Sequence, residues 1–217
     1  MRSIVMMCGL PASGKTTVAT RLQRHAGGVL IRSCDVFADL GIDLPAWVQR
    51  TRGFTVNVRD YDRVRDGAYT EIVRRLETAL ERADLVVLDA VHGERAKRDD
   101  VYAVCAARRV EATLVHCRCD DGAEIARRFE RRRGQERTPE HEASDLSVFQ
   151  DIARRWEDPH ADRLPDGRAP AILTVDTRLA PPILIGEEPL WLAGMLRTAL
   201  AEAAPRNDFR GATLERA

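Results

Sequence analysis

Residues 9–16 have the sequence Gly9-Leu-Pro-Ala-Ser-Gly14-Lys15-Thr16, which matches the pattern G-x-x-x-x-G-K-[ST]. The apolar run Ser3 to Cys8 precedes it and predicts a buried strand, and residues 15–25 follow it as a predicted helix. The two glycines allow successive backbone N–H groups to point inward around an anion, and the helix N-terminus adds a positive end. The segment therefore predicts a phosphate-binding loop between a strand and a helix.

The side chains of this loop are candidates for holding a nucleotide. Lys15 can bridge the terminal phosphates and act in catalysis, and the Thr16 hydroxyl can ligate Mg²⁺. Only two of the 34 basic residues are lysines, Lys15 and Lys97, so a chance match at Lys15 is rare. The predicted nucleotide contacts are Gly9, Pro11, Ala12, Ser13, Gly14, Lys15, Thr16 and the neighbouring hydroxyl of Thr17.

The rest of the chain alternates predicted strands with predicted helices. The strands are expected at 28–32, 84–89, 110–117 and 171–175, and the helices at 61–83, 95–109, 121–133, 143–157 and about 188–203, with 36–59 irregular. This alternation predicts an α/β fold, a three-layer P-loop architecture with a five-stranded parallel sheet. We expect a core over residues 1–180, followed by a C-terminal helix and polar tail over 181–217.

The composition excludes several classes of protein. The chain has 217 residues, 44% of them apolar, and 34 basic against 34 acidic side chains, so the formal net charge is zero. This favours one globular core and gives no overall attraction to nucleic acid. The apolar runs are too short to span a bilayer, so no membrane partner is expected. Five cysteines, an odd number, favour a reducing, cytoplasmic location over a disulfide framework.

Two aspartates follow predicted strands, at the edge of the sheet where ligands bind in such folds. Asp89 ends the apolar run Leu85 to Leu88 and is predicted to orient the Mg²⁺ shell together with Thr16, next to the substrate; the alternative is an acid in a turn or helix cap. Asp35 follows the second strand and is predicted to accept the proton of an attacking hydroxyl. The alternatives are a helix N-cap at Asp35, or Asp39 as the base.

The residues quoted so far, with an Arg-rich helix after the fourth strand, together resemble the P-loop kinases of the polynucleotide-kinase and zeta-toxin type, the AAA_33-like group. The resemblance covers about residues 3–177. It implies that the Asp89 strand lies beside the strand of the phosphate loop, that ATP binds with Mg²⁺, and that the acid at Asp35 is the general base. The stretch 156–159, Trp-Glu-Asp-Pro, is also similar to seryl-tRNA kinases.

Two positions depart from the pattern of polynucleotide kinases. Those enzymes often carry an arginine three residues after the base, where this chain has Ala38. They often have Thr-Asn after the third-strand aspartate, where this chain has Ala90 and Val91. Both departures weaken a nucleic-acid acceptor and leave the phosphoryl-transfer residues untouched.

Residues 127–137 hold six arginines against two glutamates, Glu130 and Glu136. Arginine forks stabilise the charge that develops on a transferring phosphoryl group, so a helical lid over about 121–145 is predicted. Arg128 and Arg132 are the predicted catalytic arginines, and Arg128 is also predicted to bind the nucleotide. The alternative is a solvated, salt-bridged helix face.

The predicted acceptor-recognition segment covers about residues 36–60. Trp47 and Arg52 lie in it, and an aromatic ring with an arginine can stack on a base or sugar; the alternative is a packed Trp47 with surface arginines. His92 and Arg95 follow Asp89 and are further candidates for contacts with the acceptor.

These residues predict an ATP-dependent kinase with Mg²⁺ that transfers the γ-phosphate to a hydroxyl of a small molecule, such as an antibiotic, sugar, nucleoside or nucleotide sugar. One alternative is a kinase acting on RNA or DNA 5′-hydroxyl ends or on an aminoacyl-tRNA. A second alternative is a P-loop ATPase switch without an acceptor. A switch needs a glutamate or glutamine to position water near the third strand, and the nearest acid after Asp89 is Glu94.

Overall fold

The computed structural model describes residues 2–42, 58–133 and 146–202, with the side chains of 58–62, 133 and 146–148 outside the description. Trp47 and Arg52 therefore lie outside the described residues, as does the second half of the predicted lid. The elements, in chain order, are β1 Ser3–Cys8, α1 Lys15–Ala26, β2 Val29–Arg32, α2 Ser33–Asp39, α3 Val58–Ala79, β3 Leu85–Asp89, α4 Arg95–Arg108, β4 Glu111–Arg118, α5 Gly122–Arg133, α6 Leu146–Arg154, a 3-10 turn Pro159–Ala161, β5 Ala171–Asp176, β6 Ile183–Ile185 and α7 Leu190–Ala201.

The strands form a single six-stranded sheet in the order β2-β3-β1-β4-β5-β6. The first five are parallel, and β6 runs antiparallel to β5. The Asp89 strand pairs with the loop strand, with Val5 opposite Val87, as the family resemblance implied. All six residues of β1 are buried, because both faces of a central parallel strand are covered by helices.

Successive residues of β1 point to opposite faces of the sheet and supply two separate cores. Val5 packs in a cluster with α1 and α7, and Ile4 packs in a second cluster with α3 and α4. The molecule thus has three layers, with the carboxyl ends of β1, β2 and β3 at one edge of the sheet. No helix in the described ranges is both long and apolar enough to cross a bilayer.

The structure adds two elements that the sequence analysis did not predict. Residues 33–39 form α2 where an irregular segment was expected; the stretch before Gly41 has no helix breaker, and Val36 anchors the helix by complete burial. The strand β6 is three residues long and follows two prolines, so it gives almost no periodic signal. Because β6 pairs with β5 and α7 packs on α1, residues 183–201 share one core with the rest, across the predicted boundary at residue 180.

One buried ion pair holds the segment after α6 to α4. The Arg98 guanidinium donates to both carboxylate oxygens of Asp162 at 2.6 and 2.8 Å, and the two side chains are 0% and 1% exposed. The Tyr102 hydroxyl donates to the same carboxylate at 3.0 Å, and Arg98 also donates to the backbone oxygen of His92 at 2.9 Å. Every charge in this buried cluster therefore has hydrogen-bond partners.

Replacing Asp162 by asparagine is expected to destabilise the protein by about 3–5 kcal/mol, because it leaves the Arg98 charge buried and unpaired. Urea unfolding followed by circular dichroism measures the loss. Asp166→Asn is the matched control, since Asp166 pairs with Arg168 at the surface, and it should leave the unfolding midpoint unchanged. Equal midpoints for the two variants would show that the buried pair contributes little.

Candidate active site

A cavity of about 630 Å³ opens at the carboxyl edge of the sheet. Its walls come from the loop after β1, the start of α1, α2, α3, the segment after β3, α4, α5, α6 and the segment after β5. The edge that the sequence analysis predicted to collect the polar groups is therefore the edge that holds the cavity.

The loop after β1 has the backbone shape that its glycines were expected to allow. Gly14 adopts φ +87°, and α1 begins at the next residue, so the helix N-terminus faces the cavity. Gly9 lies so close to β4 that a Cβ there would be 2.4 Å from the backbone oxygen of Cys117. Ala12, without this freedom, also adopts a positive φ of 62°.

Lys15 lies inside the curve of this loop. It is 8% exposed, and its Nζ donates to the backbone oxygen of Leu10 at 2.8 Å. Burial lowers the pKa of the Lys15 ammonium, and the nearby Asp89 carboxylate acts in the opposite direction. An anion bound in the loop would supply the charge that this buried cation lacks.

Asp89 ends β3, lines the same cavity as Lys15 and is 5% exposed. Burial raises the pKa of the Asp89 carboxyl, whereas the Lys15 charge and a hydrogen bond from the Thr16 hydroxyl lower it. A hydroxyl and a carboxylate are oxygen donors of the kind that Mg²⁺ prefers. Among the described residues no group of three or more His, Cys, Asp or Glu side chains could hold a metal. An ion held by Thr16 and Asp89 would need its other ligands from phosphates and water.

Asp35 lies in the first turn of α2, and Arg32 is the residue at the N-cap. The Asp35 side chain is 57% exposed, with Oδ1 3.9 Å from Arg32 Nη1. Its neighbours Ser33 and Cys34 line the cavity, and its charge raises the pKa of Asp89. The predicted base is therefore an exposed carboxylate that follows two cavity-lining residues and does not itself line the cavity.

Arg128, predicted to contact the phosphates, lines the cavity and has its hydrogen bonds to groups of the protein. Its Nε donates to Glu124 at 2.8 Å, and its Nη1 donates to the backbone oxygen of Ala12 at 2.9 Å and to Thr177 Oγ1 at 3.0 Å. Its Nη2 donates to the backbone oxygen of Thr177. The guanidinium is thus occupied in tying α5 to the phosphate loop and to the end of β5.

Arg132, one turn further along α5, has a different environment. It lines the cavity, lies 5.9 Å from the Phe129 ring, and has its pKa lowered by burial and by the Arg128 charge. Within the part of the chain that the structure describes, no carboxylate forms an ion pair with it. Arg132 therefore remains the predicted lid arginine for the phosphates.

His92 and Arg95 do not lie where the sequence analysis expected them. His92 is completely buried, and its Nδ1 lies 2.8 Å from the backbone oxygen of Met7, so it joins β3 to β1 and is screened from an acceptor. The Arg95 side chain is 43% exposed, 3.4 Å from Asp99, and its backbone N–H donates to Glu157. Both residues therefore have structural contacts. The sequence after Asp89 does not show whether a residue there has a structural contact or contacts a ligand.

The far end of the cavity contains residues that the sequence analysis did not assign. Arg65 donates to both oxygens of Glu94, at 2.6 and 3.1 Å. Lys97 pairs with Asp66 at 2.7 Å and lies 5.5 Å above the Tyr69 ring. The scarcity of lysine was the available signal, because both lysines of the chain line this one cavity.

The Trp-Glu-Asp-Pro stretch forms a corner of the scaffold. Trp156 stacks on His116 with ring centroids 5.5 Å apart, and a Cβ on Gly93 would lie 3.1 Å from the Trp156 ring. Glu157 accepts from the first backbone N–H of α4 at 2.5 Å, and Asp158 accepts from His160 N at 3.0 Å. Trp156, Glu157 and Asp158 thus each have a structural contact, and none of these contacts requires a substrate.

Comparison with known families gives one match that spans most of the chain. The AAA_33 family, described as an AAA domain, matches residues 4–159. No curated protein matches the chain.

Several solved structures share the fold. A gluconokinase from Sinorhizobium meliloti is 21% identical, with a TM-score of 0.54, over 92% of this chain and 91% of that one. Kti12 from Chaetomium thermophilum, in complex with ADP-AlF3, is 19% identical, with a TM-score of 0.57, over 91% and 95%. A sugar kinase from Janibacter is 16% identical, with a TM-score of 0.55, over 92% and 94%. At these identities the likeness concerns the fold.

Proposed function

The chain belongs to the AAA_33 family of AAA domains, and from this premise we propose that it is an ATP-dependent kinase that phosphorylates a hydroxyl of a small molecule. One observation carries the proposal. Lys15, the first residue of α1 after the loop that follows β1, and Asp89, the last residue of the adjacent strand β3, are both buried and both line one cavity, which also contains the polar groups of α3 and α4. The end at the loop suits a triphosphate, and the second end, at α3 and α4, leaves room for an acceptor.

The chemistry assigns a role to each side chain. The acceptor hydroxyl oxygen attacks the γ-phosphorus, a new O–P bond forms, and the bond between the γ-phosphorus and the β,γ-bridging oxygen breaks, leaving ADP. Asp35 accepts the hydroxyl proton, while Lys15 and Arg132 neutralise charge on the transferring group. Mg²⁺, held by Thr16 and Asp89 when bound, would supply further positive charge on the phosphate oxygens.

The cations at the second end favour a small acceptor over a nucleic acid. Arg65 is engaged by Glu94 through two hydrogen bonds, and Lys97 is engaged by Asp66. A nucleic-acid surface instead offers several cations to backbone phosphates. The ion pair of Lys97, which lies over the Tyr69 ring, can hydrogen-bond the hydroxyls of a small acceptor. The formal net charge of zero gives the chain no overall attraction to nucleic acid.

Transfer of labelled phosphate from [γ-³²P]ATP into a fractionated cell extract tests the proposal. We expect label in the metabolite fraction, where mass spectrometry identifies the product. A sample with the Lys15→Ala variant controls for other kinases in the extract. Label recovered in RNA would instead identify a nucleic-acid kinase, and label recovered only as inorganic phosphate, with or without the extract, would identify an ATPase.

The salt dependence of oligonucleotide binding separates the two acceptor classes independently. For a small-molecule kinase we expect weak binding to a single-stranded RNA and a shallow slope of log K against log salt, no steeper than about −1. Six phosphate contacts would give about −4. Fluorescence anisotropy between low and physiological salt measures the slope, and the steeper value would contradict a small-molecule acceptor.

A further inference from the structure

The hydroxyl of Thr177 is a junction between four parts of the fold. Thr177 follows β5 and is 6% exposed. Its Oγ1 accepts from Arg128 Nη1 at 3.0 Å and lies 2.9 Å from the backbone oxygen of Ser13 and 3.1 Å from that of Arg118. A hydroxyl has one proton, so the shorter contact makes Ser13 the main acceptor. One side chain therefore connects the phosphate loop, the end of β4, the end of β5 and α5.

Thr177 also supports the loop by direct packing. A Cβ on Gly14 would lie 3.1 Å from Thr177 Cγ2 and 3.2 Å from its Cβ. The backbone N–H of Thr177 donates to Arg118 O at 2.9 Å, so the residue is itself fixed to β4. The glycine that precedes α1 thus rests on a residue with little freedom to move.

The contacts on the carbonyl side of the loop fix the direction of its amides. In a planar trans peptide the C=O and the N–H point in opposite directions. Thr177 binds the oxygen of Ser13, so the N–H of Gly14 in that peptide points away from Thr177. Arg128 holds the preceding carbonyl, that of Ala12, whose positive φ of 62° is a conformation that a non-glycine residue rarely adopts.

Glu124 completes the connection. Its carboxylate accepts from Arg128 Nε at 2.8 Å and also pairs with Arg127 at 2.7 Å, and these charges lower the pKa of the Glu124 carboxyl. The Arg128 fork is thereby oriented from α5 by contacts within the protein.

We infer that Thr177, together with Arg128, is a positioning residue that holds the phosphate loop in its nucleotide-binding shape. The inference rests on the proposed function for its site, the nucleotide end of the cavity, and requires only that the loop bind a nucleotide. Neither residue needs to touch the phosphates, since each acts through the backbone carbonyls of the loop.

Replacing Thr177 by valine removes the hydroxyl and keeps the shape. We expect the variant to bind ADP about tenfold more weakly in isothermal titration calorimetry, because it loses one hydrogen bond to the loop and leaves the Ser13 oxygen without a donor. Thr177→Ser should restore the affinity to within about twofold. Thr174→Val, in the same strand, is the matched control and should bind ADP as the native protein does.

Arg128→Gln provides the second arm if the valine variant does not fold. It removes the charged fork while Thr177 is intact, and it too should weaken ADP binding. In the double variant the two losses should be smaller than their sum, because the residues act as a unit.

Native ADP affinity in folded Thr177→Val, or in Arg128→Gln, would overturn the inference and leave the kinase proposal standing. If the losses of ADP binding free energy in the two single variants add up to the loss in the double variant, the two residues do not act jointly. Conversely, a native protein that binds ADP but labels no acceptor would contradict the proposed function alone.

Discussion

Replacing Lys15 by alanine is expected to lower phosphoryl transfer by at least about a thousandfold, because the ammonium is the buried cation of the phosphate loop. Lys15 is 8% exposed, and its Nζ is held inside the loop by the backbone oxygen of Leu10. Its loss also removes the positive charge that most strongly lowers the pKa of the buried Asp89 carboxyl. Single-turnover transfer from labelled ATP into the acceptor fraction measures the effect.

Two further variants test whether the reaction needs the Lys15 ammonium itself or only a positive charge in the cavity. Lys15→Arg keeps a positive charge, but a planar guanidinium is larger than an ammonium and should not fit the closed loop, so transfer should also be lost. Lys97→Ala removes the other lysine of the chain, which lies on the α4 wall of the same cavity, and should leave ADP affinity unchanged. Substantial transfer by Lys15→Ala would remove the loop from the mechanism.

The features that sequence alone predicted are those fixed by neighbouring residues. The loop at 9–16, the strand Ser3–Cys8 before it and the strand ending at Asp89 are confirmed at those positions. Each depends on a local signal, namely glycine spacing or a continuous apolar run bounded by polar residues. The parallel sheet follows from the same alternation, and the position of β3 beside β1 followed from the family resemblance.

The features that the sequence did not predict depend on partners far apart in the chain. Arg98 is paired with Asp162, and Arg128 with Thr177, across 64 and 49 residues. In a chain with 34 basic residues, nothing local distinguishes an arginine that binds a phosphate from one that fixes a loop or a core. His92 illustrates the same limit, because its position after Asp89 suggests a ligand contact and only the fold reveals its burial.

Asp35→Asn is expected to reduce the turnover number by about a hundredfold to ten thousandfold, because an amide cannot accept the proton of the acceptor hydroxyl. ATP affinity should change by less than about twofold, since the carboxylate lies on α2, is 57% exposed, and is not part of the predicted phosphate-binding loop. Initial rates with the labelled acceptor fraction give the turnover number, and equilibrium titration with ATP gives the affinity.

Asp39→Asn is the matched control, since Asp39 lies on the same helix and is the other candidate base. Its carboxylate is 60% exposed and pairs with Arg75 at 2.7 Å, which directs it toward α3. Because the Asp39 carboxylate is already paired with Arg75, we expect it not to accept the proton of the acceptor hydroxyl. The Asp39→Asn variant should therefore keep native turnover. The result for both variants together identifies the base: unchanged turnover in Asp35→Asn removes that residue from the mechanism, and a loss confined to Asp39→Asn transfers the role one helical turn along α2.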